Sequence, residues 1–147
     1  MQWNAEELQG FEAVRPYYDT ALLPHYIYNK RKSLAENAVR MNYISGLALA
    51  VEEKLKGRVL LFPLQYQIEE EGNDERQITL PGHFAYNVIL RFSGQVFSIS
   101  NSQSDGAVEI LTVGDEDLES LVRFEITVEV FYKEILSIWQ KGIQIVK

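Results

Sequence analysis

The sequence predicts a single α/β domain over residues 1–147, with a mostly parallel four-stranded sheet flanked by helices in a Rossmann-like layering. Three observations predict it. Two short apolar segments, Thr20-Ala-Leu-Leu-Pro24 and Val59-Leu-Leu-Phe62, bracket one long amphipathic stretch, which is the pattern of a βαβ unit. Neither segment alternates polar with apolar residues, so each reads as a strand buried on both faces, as in parallel sheets. Strand-like and helix-like segments then continue to alternate towards the C-terminus, as crossover-connected parallel strands require.

In chain order, the first element is a short helix capped by Asn4, with Glu7 at its third position, Trp3 placed to staple onto Leu8, and Pro16 as its end. After the first strand, Ser33 and Glu36 have the spacing of a capping box. Ala38, Met41, Ile44, Ala48, Val51 and Leu55 follow at steps of three and four, a stripe that faces a sheet. Gly57 supplies a left-handed C-terminal cap, and Lys54, Lys56 and Arg58 suit the negative end of the helix dipole. Residues 69–77, rich in Glu and Asp and without periodicity, read as a solvated loop and the poorest place for a site.

Two segments read both ways. Val88 to Phe92 and Val96 to Ser100 suit a hairpin about Ser93-Gly94; alternatively Pro81 opens a helix with Phe84, Ala85, Val88, Ile89 and Phe92 on one face, capped by Gly94 and followed by a strand over 96–100. The alternation of elements favours the helix. Val108 to Val113 reads as the fourth strand. From Arg123 to Val130 polar and apolar residues alternate as in a strand, yet Leu121, Phe124, Val128, Phe131, Ile135 and Ile138 step by three and four over a longer span. Length favours a helix there, held by packing because Ile126, Thr127, Val128 and Val130 are β-branched. Leu22, Leu60, Leu61, Phe97, Ile99, Ile110, Ile44 and Phe131 are the expected core.

With 21 acidic against 14 basic residues the formal charge is −7, which disfavours nucleic acid and anionic membrane surfaces as partners. No apolar run has the length of a transmembrane helix and no signal peptide opens the chain. The absence of cysteine excludes disulfides and thiolate chemistry and suits a cytoplasmic protein.

The run Asp19-Thr-Ala-Leu-Leu-Pro24, the later Lys56-Gly-Arg-Val-Leu-Leu-Phe-Pro63 and the opening Met-Gln-Trp resemble the YpiF-like domain-of-unknown-function family of Firmicutes, nearly end to end. The resemblance implies helices from Pro81 and from Asp115, and a bacterial, uncharacterised protein. The chain departs from the family pattern at Ser100-Asn-Ser, where the family tends toward Leu-Thr-Ser-Asp, so the resemblance supports no role for an acidic residue there. No activity and no functional residue carry over from it.

In an open parallel sheet ligands bind beyond the carboxyl ends of the strands. Four loops qualify: 24–33, 63–67, 101–106 and 114–117. The candidate ligand-binding residues are Lys30, Arg31, Lys32 and Ser33, with His25, Asn101 and Asp105. The basic run reads first as a solvated loop, since no glycine-rich cradle accompanies it; because cations are unfavourable at the positive end of a helix dipole unless an anion sits between them, its other reading is a place for a phosphate or carboxylate. His25 reads first as a surface or packing residue, and alternatively as a base that meets Asp105 or Asp115 and is oriented by that carboxylate. Neither histidine has the neighbours of a metal site, Ser100, Ser102 and Ser104 lack a nucleophile elbow, and no glycine-rich phosphate loop occurs, so no metal and no cofactor is expected. Tyr17, Tyr18, Tyr26, Tyr28 and Tyr66 are expected near the ends of the first two strands, where they and the apolar Ile143-Gln-Ile-Val146 offer contact surface for a protein partner or a second copy. The leading expectation is therefore a non-catalytic interaction or regulatory module, and the alternative is a binder of, or enzyme on, a small anionic, phosphate-type ligand at the carboxyl edge of the sheet.

Overall fold

The structure, a computed structural model, describes residues 1–69, 76–100 and 106–145, with side chains described as far as Lys141. Two short helices open the chain, α1 (Ala5–Leu8) and α2 (Phe11–Val14), followed by one 3-10 turn around Pro16. Asn4 caps α1 as its chemistry dictates, its side-chain oxygen accepting the Glu7 N–H at 2.8 Å. Trp3 does not staple onto Leu8: its ring packs against Phe62, 4.8 Å between centroids, leaving the indole half exposed. Strand β1 (Thr20–Tyr28) leads to α3 (Leu34–Lys54), β2 (Val59–Leu61), β3 (Gln65–Ile68), β4 (Gln77–Thr79), β5 (Tyr86–Phe92), β6 (Ser98–Ser100), β7 (Ala107–Val113) and the long α4 (Leu121–Ile145). The Ser33 capping box is complete, and Gly57 turns the chain out of α3 at φ +96°.

The sheet is parallel along its path β2-β1-β5-β7, with β3 also parallel to β1. β1 is its axis, and β2 and β3 share one flank of it, β2 on Thr20–Leu22 and β3 on His25–Tyr28. Phe62, Pro63 and Leu64 fall opposite Leu23 and Pro24, so the outer strand carries one extra residue, the count of a bulge. Leu22 and Tyr28 carbonyls accept from Phe62 and Glu69 on this flank, which puts the backbone of Pro24 on the same side. The donor that Pro24 lacks is thus missing where the neighbouring strand is itself interrupted by Pro63.

Residues of β1 alternate between two cores. Leu22 and Tyr26 join Val88, Leu90 and Phe92 of β5 beneath α3 (Ile44, Leu47, Val51) and α4 (Val128, Phe131, Ile135, Ile138). On the opposite face Ala21 and Leu60 pack with Phe11 and Phe84, while Leu23 and Ile89 pack with Ile78, Phe97 and Ile99 of the two-stranded β4–β6 ribbon. The β1–α3–β2 crossover steps towards one edge over the helical face. The connections through β4 to β5 and through β6 to β7 step towards the other edge over the opposite face, so all share one hand, as parallel connections do. The amino edge is clamped by Arg58, which grips Asp19 with two hydrogen bonds of 2.8 and 2.9 Å and lies 3.9 Å over Trp139, whose Nε1 donates to Thr20 Oγ1 at 2.8 Å.

Residues 84–92 form no helix and no hairpin. Tyr86–Phe92 is a central strand, and β6 pairs with β4 rather than with β5. A strand buried on both faces has apolar residues at every position, so spacings of three and four are filled along with all others. Residues 123–131 are helical, as length required. Within α3 the buried stripe is rotated from the expected one: Ala38 is exposed, and Asn37, Leu47 and Glu52 are buried. Among the described residues no helix is long and apolar enough to cross a membrane.

Candidate functional site

The chain leaves β1 towards one side, through α3 to β2, and returns on its other side as β5. This makes the carboxyl ends of β1 and β5 the topological switch point of the sheet, the place where open α/β sheets hold ligands. Here β1 outruns β5. Past Phe92 the chain turns at Ser93-Gly94, with Gly94 at φ +84°, and the Gln95 side chain folds back onto Ile27, donating to its C=O at 3.0 Å and accepting its N–H at 3.1 Å. Arg91 holds the Gln95 carbonyl at 3.2 Å and lies 5.2 Å over the ring of Phe97.

A cavity of about 420 Å³ opens at this point. Ile27 and Asn29 wall it from β1, Gly94, Gln95 and Val96 from the turn, and Glu69 and Arg76 from the residues after β3 and before β4. The stretch that read as the poorest place for a site therefore supplies two charged side chains to the lining, the only charged ones among the described residues.

Beneath Arg76 the chemistry is unusual. His25 is fully buried in the middle of β1, not in the loop after it, and lies edge-on to Phe97 at 4.8 Å. Among the described residues neither of its ring nitrogens, nor Gln67 Oε1, nor Arg76 Nε has a hydrogen-bond partner. Burial pushes the imidazole down to about 4; the Gln67 side chain opposes the shift and the Arg76 charge adds to it. The ring is neutral at pH 7.

Among the described residues His25 has no acidic partner, and the expected pairing with Asp115 does not form. Asp115 is held instead by Arg40, at 2.8 Å, which keeps its carboxyl below the usual range, and Asp105 and Asn101 lie outside the described residues. The basic loop is built by Asn29 and Asn37. Asn29 accepts the Arg31 and Lys32 N–H groups at 2.9 and 3.1 Å, and the buried Asn37 side chain holds Asn29 N–H and C=O at 2.9 and 3.0 Å. Lys30 and Arg31 are exposed and Lys32 half-buried. Ser33 Oγ is engaged by the Glu36 N–H at 3.1 Å. Near the start of α3, negative charge comes from the protein itself, from Glu36 and from Asp115, both of which feel Lys32 and Arg40.

The tyrosines divide. Tyr26, Tyr28 and Tyr66 line a smaller hollow of about 170 Å³ with Leu34 and Met41, whereas Tyr18 packs on Phe11 by the amino edge and Tyr17 is exposed. The side chains of residues 143–146 lie outside the described ones, and among those described no group of His, Asp or Glu is placed to hold a metal ion. Arg76, Glu69 and Gln95 escaped the sequence argument; the signal for Gln95 was its place just after the strand that read as a helix.

A parallel α/β sheet with a polar crevice at its switch point defines the molecule structurally. The chain belongs to the family described as protein of unknown function (DUF2487), which matches residues 9–89, more than half of it, from just before α2 into β5. No curated protein and no solved structure matches the chain.

Proposed function

We propose that the protein is a binding module for a small ligand with an anionic group, seated in the crevice between the ends of β1 and β5. The observation that carries this reading is the cavity at the switch point with Arg76 on its wall and the Arg76 Nε unpartnered. Its volume falls within the range of roughly 300–1,000 Å³ usual for small-molecule sites. Asn29 joins the cavity to Lys30 and Arg31, so the basic loop stands at the rim, where exposed charge guides an anion without holding it. The YpiF-like motif and the absence of cysteine support a cytoplasmic protein of Firmicutes.

The test is thermal denaturation at low ionic strength with phosphate- and carboxylate-bearing compounds. A true ligand at a hundred times its Kd stabilises by about 2.7 kcal/mol. That gain should vanish in Arg76→Gln, while replacing Lys30, Arg31 and Lys32 together by Gln should chiefly reduce its salt dependence. If no anion stabilises the parent protein, the reading fails.

A second reading, docking of a protein partner or a second copy, is favoured by Tyr66 and Ile68 on edge strand β3 and by Val122, Ile126 and Val130 on α4, all about half exposed or more. Sedimentation at increasing concentration tests self-association.

A further inference from the structure

We propose that the ligand of the crevice is zwitterionic, of the amino-acid class, with its carboxylate on Arg76 and its ammonium on Glu69. The proposal rests on the reading of the crevice as a ligand site and names the chemistry of its occupant. Glu69 and Arg76 line the same cavity, both half-buried, yet no ion pair joins them among the described residues. Opposite charges that share a cavity and do not pair present a ready-made complement to a molecule carrying both signs. A phosphate or other multiply charged anion would gain Arg76 and meet repulsion from Glu69; a zwitterion gains both.

The geometry of the donors agrees. A guanidinium offers a planar fork that matches a carboxylate, and Arg76, whose Nε is buried without a partner, lines the cavity. The Gln95 carboxamide is committed to Ile27 through both its polar atoms, and the Asn29 Oδ1 to the Arg31 N–H. Gln95 thus shapes the crevice without competing for the ligand's charges. Ile27 and Val96 leave an apolar wall for a side chain.

The experiment is isothermal titration of the intact protein at low ionic strength with each standard amino acid, and with acetate, methylamine and inorganic phosphate. At least one amino acid should bind more tightly than acetate or methylamine. Its Kd should weaken about tenfold or more in Glu69→Gln and in Arg76→Gln, with Arg76→Lys as an intermediate that guards against a folding defect. Binding of acetate or phosphate that is unchanged or strengthened in Glu69→Gln, with no preference for an amino acid, would overturn the zwitterion and leave the anion site standing. Binding of no probe at all overturns both.

Discussion

Gln95 acts on Ile27 as a missing strand would: one carboxamide bonds both the N–H and the C=O of a single residue, at 3.1 and 3.0 Å, where β5 has already ended. Gln95→Ala should leave both groups unanswered in a half-buried crevice and destabilise the protein by about 1–3 kcal/mol. Urea denaturation gives the cost, and faster hydrogen exchange of the Ile27 amide locates it. Unchanged exchange there would show that the side-chain contact does not form in solution.

The neutral, buried His25 predicts a pH dependence. Its folded value of about 4 lies below the 6.5 of an unfolded histidine, so between these the unfolded chain binds the extra proton. Stability is complete above about pH 6.5 and falls as pH drops towards 4, by about 3 kcal/mol in all. The denaturation midpoint followed from pH 7 to 4 should show this slope, and His25→Leu should flatten it. A slope unaffected by that substitution would assign the effect to other groups.

Asn37 joins α3 to the end of β1 through Tyr26 and Asn29. Its Oδ1 accepts the buried Tyr26 hydroxyl at 2.6 Å as well as the Asn29 N–H. Asn37→Ala strands both donors and should cost about 2–4 kcal/mol, whereas Tyr26→Phe removes one bond and leaves Asn37 paired with Asn29, for about 1 kcal/mol. Thermal or chemical melts of the two variants should rank in that order.

Two glycines should respond in opposite senses. Gly106 sits at φ +73°, and a Cβ there would run into the backbone carbonyls of Phe84 and Ala85, so Gly106→Ala should destabilise by at least about 1–3 kcal/mol. Gly46 lies inside α3 with open space around its Cα, so Gly46→Ala should stabilise by up to about 1 kcal/mol. Melting temperatures of the pair decide it.

What could be read from the sequence was local. Ser33 and Glu36 announce a helix start by reciprocal hydrogen bonds three residues apart, and the 25-residue α4 was long enough for its period to outweigh the alternation at 123–130. Tyr86–Phe92 hid its nature because a doubly buried strand carries no period at all. The parallel sheet was nonetheless foreseen, since β1, α3 and β2 fix it without β5. The crevice was invisible for another reason: Ile27 and Gln95 are 68 residues apart, and nothing in either residue type signals the other. The switch-point rule led to the carboxyl edge, and the loop over 24–33 that it named contains Ile27 and Asn29 of the crevice wall.

The facing prolines bear on a hazard that every open sheet carries. A long, unbroken outer strand is a template on which another chain can polymerise. Here the flank of the nine-residue β1 is divided by Pro24 and Pro63 into a three-residue and a four-residue piece, and Met1 occupies the outer side of the first by bonding Val59 and Leu61. An incoming strand finds four consecutive residues on this flank, so the proline interruption that costs the sheet one bond shortens the template that this margin offers to another chain.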